Sequence, residues 1–271
     1  MEFTSTVLTL ELRGAVATLW LDRVEQRNAM GRAFWEDLPR AAAALRAEPD
    51  VRALVIAARG PHFTVGLDLK EMAGGLLSGG DSTSPAERNA TRYDAVRTMQ
   101  RAISSIAELP FPVIAAVHGY CIGGGVDLIC ACDIRLAASS ATFSVRETKV
   151  AIVADLGTLQ RLPRIIGAGH VAELAYTGMD VDAERAAAIG LVNHVSDDVI
   201  ADAAALAERI AANSPLAVKG TKAVLAANDG RTVAEGLEFV ANWNTLYLRS
   251  DDLAEAMNAF LERREPTFIG R

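Results

Sequence analysis

PFPVIAAVHGYCIGGGVD, residues Pro110 to Asp127, is the stretch on which the reading of this chain turns. Pro112 to His118 is a short run of Val, Ile and Ala bounded by Pro and Gly, the signature of a buried strand. It leads into a turn with three consecutive glycines, Gly123, Gly124 and Gly125. The apolar run Val126 to Ala131 then reads as the first turns of a buried helix. Glycine lets a ligand approach the backbone closely, and a helix start leaves N–H groups unpaired. Those are the ingredients of an oxyanion hole. A glycine cluster by itself equally fits a tight turn or close strand–helix packing.

A second stretch, HFTVGLDLK from His62 to Lys70, shifts that balance. It too follows a strand-like run, and Gly66 precedes residues whose backbone can face a cleft. One N–H from this loop and one from a helix start would form the two-donor arrangement that an enolate oxygen needs. Asp68 in this loop also fits a turn or cap residue.

Further out, Val16 to Leu21 and Val51 to Ala57 read as buried strands, and Phe34 to Leu45 and Tyr93 to Leu109 carry a helical period, with Pro39 expected to kink or delay the first helix. The alternation predicts an α/β fold. Residues 73–92 are rich in Gly, Ser and Thr and predict a mobile surface loop. After residue 196 the character becomes helical. Asp197 and Asp198 start one helix, with Val199, Ala203, Leu206 and Ile210 on a face. Ser214 caps the next with Pro215 at its first position, and Thr232 with Glu235 forms a capping box. A last helix begins near Asp251 and ends before Pro266. The chain therefore divides into residues 1–196, carrying the site, and 197–271, a helical region whose apolar faces predict packing on the body or on neighbouring subunits.

Composition excludes several classes. The chain has 271 residues, is 51% hydrophobic and carries a net charge of -7, with Lys and Arg scattered rather than striped. No basic footprint for nucleic acid results. Apolar runs are too short for a membrane span, and the start lacks the features of a signal peptide, so a cytoplasmic setting is expected. Cys121, Cys130 and Cys132 read as buried free thiols, and no spacing of His and Cys suggests a metal. GAGHVA, Gly167 to Ala172, nominally fits a dinucleotide fingerprint but lacks a clean preceding strand.

Three acids stand out. Asp127 lies in the apolar run after the glycines, Glu147 follows twenty residues later, and Asp155 sits among Ile152, Val153, Ala154 and Leu156. Apolar surroundings raise a carboxyl pKa toward the range useful for proton transfer. The alternatives are that Asp155 caps a helix beginning near Gly157, and that Glu147 is a solvated partner of Arg146 or Lys149.

Residues 112–128 and 63–69, together with Arg27 to Ala29 and Ala188 to Val192, resemble the crotonase (enoyl-CoA hydratase/isomerase) superfamily. Within it, the run from Cys121, the segment from Ala151 to Pro163 and Ser214 to Val218 are most similar to the Δ3,5-Δ2,4-dienoyl-CoA isomerase branch. Hydratases of the family place Glu where this chain has Asp127 and Gly where it has Asp155. Thr148 and Lys149 depart from the isomerase pattern. The resemblance implies a spiral of ββα units with C-terminal helices that assemble trimers, often paired into hexamers. It implies oxyanion donors at the N–H groups of Leu67 and Gly124, an acid/base pair of Glu147 and Asp155, and Asp127 as an auxiliary acid. Val65, Gly66, Asp68, Leu69, Lys70 and Gly123 would contact the acyl-CoA substrate, and no cofactor is needed beyond the coenzyme A that the substrate carries. A hydratase is the nearest alternative activity. A dinucleotide-dependent oxidoreductase and a catalytically silent trimeric scaffold are the alternatives from other classes.

Overall fold

The computed structural model describes residues 3–71 and 84–271. Among the described residues, nine strands form two sheets. The larger has the order β1-β2-β3-β4-β6-β9, built from Leu8–Arg13, Val16–Leu21, Ala53–Ala58, Val113–Val117, Ile134–Ala138 and His194–Ser196. Its first pair is antiparallel and the rest are parallel. The smaller sheet joins β5 (Tyr120–Ile122), β7 (Thr142–Ser144) and β8 (Val181–Asp182) in that order. The chain thus alternates between the sheets: β4 then β5, β6 then β7, each pair followed by a helical segment.

The central strands read as continuous apolar runs because both faces of the large sheet are covered. Leu54, Ile56 and Ala58 of β3 enter one core with helix α1 (Arg32–Ala47) and helix α2 (Pro85–Ala107). The alternate residues Ala53, Val55 and Ala57 enter a second core. Its other wall is α8 (Val199–Ala211), which buries Val199, Ala203, Ala207 and Ala211. Those small residues at every fourth position let the helix lie close on the sheet. Leu206 and Ile210, expected on that face, only flank it.

Helix α1 runs through Pro39 without a break. A proline inside a helix costs about 3 kcal/mol, and the burial of Phe34, Trp35, Leu38, Ala41 and Leu45 on one face offsets it. Residues 85–92, expected in a loop, instead form the first turns of α2. Ser84 and Glu87 make a capping box, with the Ser84 Oγ accepting from the Glu87 N–H at 3.2 Å and the Glu87 carboxylate accepting from the Ser84 N–H at 2.7 Å. Pro85 occupies the first helical position. The cap outweighs the loop-like composition, and 73–83 lie outside the described residues. Gly167 follows a helical turn, Pro163–Ile166, rather than a strand. A Rossmann phosphate loop needs the strand, so the dinucleotide reading is lost.

Eight more helices complete the described residues: α3 (Gly124–Cys130), α4 (Thr158–Arg161), α5 (Pro163–Ile166), α6 (Ala168–Thr177) and α7 (Ala183–Ala188) precede α8, and α9 (Pro215–Ala227), α10 (Val233–Tyr247) and α11 (Asp251–Glu262) follow it. Ser214 caps α9, and Thr232 with Glu235 forms the capping box of α10, as their spacing predicts. Val233, Leu237, Leu246, Phe260 and Leu261 of the last two helices stand exposed.

Candidate active site

Two loops meet at the C-terminal ends of β3 and β4. Backbone hydrogen bonds join them: Phe63 N–H to the His118 carbonyl and Thr64 N–H to the Tyr120 carbonyl, both 2.8 Å, and Ile122 N–H to the Thr64 carbonyl at 3.2 Å. Asn28, buried and at φ 56°, holds the first loop from behind, its Nδ2 donating to the carbonyls of Arg59 and His62 at 2.9 Å each. Asn tolerates that left-handed conformation. Its carbonyl accepts from the buried Thr64 hydroxyl at 2.6 Å.

The approach at Gly66 is close enough to exclude a side chain. A Cβ there, at φ +82°, would stand 2.5 Å from the Ile122 carbonyl oxygen and 3.4 Å from the Gly124 nitrogen. The N–H groups of Leu67 and Gly124 are thereby brought to one place. Among the described residues neither has an acceptor, whereas the N–H of Asp68 reaches Met30 and that of Gly123 reaches Ser144. Two free donors side by side at the mouth of a cleft can hold a developing oxyanion.

That cleft has an empty volume of about 630 Å³ including its open mouth. Val65, Gly66, Leu67, Leu69, Ile122, Gly123 and Gly124 line it from the two loops, and Arg146, Glu147, Val150, Ile152, Asp155 and Leu156 line it from the segment after β7. Two of the anticipated substrate contacts stand apart. Lys70 is not among the lining residues, and the Asp68 carboxylate accepts from Arg23 at 2.7 Å and from the N–H groups of Lys70 and Glu71. Burial alone would lift the Asp68 pKa, but Arg23 and those two N–H groups hold it below the ordinary value. Asp68 is thus a turn and ion-pair residue that shapes the loop.

Glu147 opens a 3-10 turn that ends at Ala151 in the left-handed region, with the Ile152 N–H returning to the Glu147 carbonyl at 3.0 Å. Its carboxyl leans against the glycine turn, since a Cβ on Gly123 would be 3.3 Å from Oε1. Its Oε2 is buried and unpartnered; among the described residues only Trp20 Nε1 shares that condition. No ion pair with Arg146 or Lys149 forms, because Arg146 is engaged by Asp180 and Lys149 packs on Gly178. Burial, then the charges of Asp127 and Asp155, push the Glu147 pKa up to about 7. Such a carboxyl holds and releases a proton near neutral pH.

Asp155 is half-buried and lines the same cleft. Among the described residues its carboxyl has no hydrogen-bond partner on another residue, and burial raises its pKa. It does not cap α4. Asp127 fills that position: its Oδ1 accepts from the Thr158 N–H at 2.6 Å and from the Thr158 hydroxyl at 2.7 Å. Sequence proximity favoured Asp155 for the cap, but the supercoiling of the chain brings α3 against α4 and supplies an acid thirty-one residues away. Asp127 is buried and does not line the cleft. Burial lifts its pKa to about 6 against the opposing hydrogen bonds of Thr158.

The sequence reading missed Asn28, Thr158 and the apolar wall of Val150, Ile152 and Leu156. Only the last carried a local signal, the apolar company of Asp155.

Residues 11–271 match the Enoyl-CoA hydratase/isomerase family. The chain is 42% identical over 256 residues to the mitochondrial Delta(3,5)-Delta(2,4)-dienoyl-CoA isomerase of Dictyostelium discoideum, covering 93% of this chain and 87% of that one. It is 40% identical to the peroxisomal protein of the same name from Arabidopsis thaliana, over 94% and 92%, and 43% identical to the mitochondrial human protein, over 90% and 76%. Among solved structures, an enoyl-CoA hydratase from Bacillus anthracis superposes with a TM-score of 0.89 at 31% identity over 98% of this chain and all of that one. One from Polaromonas gives 0.88 at 27%, over 97% and 99%. The relatives named mitochondrial and peroxisomal overturn the expected cytoplasmic setting: short apolar runs bear on whether a chain spans a membrane, and not on which compartment holds it. The shared fold, the paired glycine loops and the similarity along nearly the whole length converge on one conclusion: the chain belongs to the enoyl-CoA hydratase/isomerase family.

Proposed function

We propose that this protein isomerises 3,5-dienoyl-CoA to 2,4-dienoyl-CoA, a step in the oxidation of unsaturated fatty acids. The observation that carries the reading is the pair of carboxyls, Glu147 and Asp155, on one cleft with two unpaired N–H groups. The relatives with that activity in their names are 40–43% identical.

The thioester oxygen would accept from Leu67 and Gly124. Loss of a C2 proton then yields an enolate conjugated with both double bonds, whose charge reaches C6. Glu147 leans on the glycine turn and so serves C2, beside the carbonyl; Asp155 serves C6. With one proton shared by the pair, ionised Glu147 takes the C2 proton and protonated Asp155 delivers one to C6. The product leaves Glu147 protonated and Asp155 ionised; Glu147 then gives its proton to solvent and Asp155 takes one from it, which restores the form that begins the next turnover. Asp127 acts as an auxiliary acid without touching substrate: it fixes Thr158 beside Asp155, and its charge helps to raise Glu147. No cofactor takes part; coenzyme A enters and leaves as a portion of the substrate.

The exposed apolar residues of α10 and α11 support assembly into a trimer or a pair of trimers, and sedimentation at micromolar concentration tests it; a monomer would refute it. For the activity, absorbance should grow as a 3,5-dienoyl thioester becomes conjugated with its carbonyl. Rapid hydration of crotonyl-CoA with no action on the dienoyl thioester would replace this reading by a hydratase.

A further inference from the structure

Asp155 sits on a segment with little structure of its own. It lies between Ala151 at φ 59° and Gly157 at φ 131°, and Val153 beside it is largely exposed. Its carboxyl has no partner on another described residue, so its position depends on what holds the backbone. The strongest hold comes from α2. The Gln100 side-chain amide donates to the Asp155 carbonyl oxygen at 2.6 Å. One turn further along the same face, the Ser104 hydroxyl accepts from Arg161 at 3.0 Å, and that guanidinium also donates to the Leu156 carbonyl at 3.4 Å. Residues four apart on a helix face the same way, so α2 presents two consecutive fastenings to Asp155 and its neighbour. Between and just beyond them, Ala102, Ile103 and Ile106 anchor α2 in the core. The fastenings are therefore made by a rigid element.

We infer that Gln100 is a positioning residue for the reaction: its amide, fixed to the core through α2, sets where the Asp155 carboxyl stands along the acyl chain. This rests on the reading of Asp155 as the acid that serves C6. Gln100 itself is not among the residues lining the cleft and donates to a backbone carbonyl, so it acts through Asp155 and not on substrate. Displacing a reacting group by about 1 Å can lower a rate by on the order of 10².

The test uses Gln100→Leu and Gln100→Met, which keep helix propensity and an apolar stem but remove the donor; two variants guard against one that folds poorly. Each should lower kcat for dienoyl isomerisation by roughly tenfold to 10², with KM nearly unchanged. Exchange of the C2 hydrogens with deuterated solvent, which needs Glu147 and not Asp155, should keep its wild-type rate. The double variant with Asp155→Asn should be no slower than Asp155→Asn alone. Carbon-13 titration of the Asp155 carboxyl should move toward the ordinary aspartate value as the loosened segment admits water. Wild-type kcat with an unmoved Asp155 titration would overturn the inference. So would equal losses in exchange and isomerisation, which would mark general damage. If the wild type left the dienoyl thioester unchanged, the proposed reaction would fall, and the positioning role would stand or fall on the Asp155 titration alone.

Discussion

The two parts of the cleft's lining are built in opposite ways. The glycine part is made of backbone: Phe63, Thr64 and Ile122 zip the two loops together, Gly66 permits contact that a Cβ would forbid, and the donors at Leu67 and Gly124 are fixed by the sheets behind them. The acid part is made of side chains with few partners: Glu147 Oε2 is buried and bare, and the Asp155 carboxyl meets only its own backbone, on a segment held by Gln100 and Arg161. The difference follows from what each part must do. An oxyanion hole works best when its dipoles are already aimed and do not reorganise. A proton carrier must change its charge in each cycle, and strong fixed hydrogen bonds would lock one protonation state.

The comparison breaks most sharply at Asp155. Asp155→Asn keeps the size and removes the exchangeable proton, so dienoyl isomerisation should fall by roughly 10² to 10⁴. Thermal unfolding should barely move, because the carboxyl makes no bond to another described residue that Asn would lose. Comparing the two quantities in one preparation checks it; a parallel loss of stability would mean that Asp155 is a structural residue.

In the backbone part, Gly124→Val should cost on the order of 10² to 10³ in kcat by crowding the oxyanion position. The new Cβ would lie 3.0 Å from the Met30 sulfur, a flexible neighbour that can give way, so the subunit should still fold. Near-normal turnover would reduce the glycines to packing.

A smaller effect sharpens the contrast through pH. Glu147 holds its proton to about pH 7 in the folded chain against an ordinary 4.5. Between those values the native state binds more protons than the unfolded one, so this group's contribution to stability falls as pH rises. Below pH 4 the carboxyl is protonated in both states and costs nothing; above pH 7 the full cost of burying its charge is present. Glu147→Gln should therefore melt higher than wild type at pH 8, and the gap should close by pH 4. A constant gap across that range would show that burial of the charge is not the cause.

Much of this was legible in the chain order. The strand at Val113–Val117, the glycine turn after it and the matching loop at Gly66 announced themselves by apolar runs and punctuation, and so did the caps at Ser214 and Thr232. Each of those signals acts within about four residues, through backbone periodicity or a side chain reaching its own helix end. Residues 85–92 were also legible in the capping box at Ser84, but composition masked it. What only the tertiary structure decided are the partnerships across the turns of the spiral: Asp127 in place of Asp155 at the start of α4, Gln100 on the Asp155 carbonyl, and Asn28 behind the first loop. These join residues separated by 31 to 55 positions, or 31 to 34 for Asn28. No local pattern encodes them, because they arise from the order in which the strands pair, and that order is set by burying both faces of the large sheet at once.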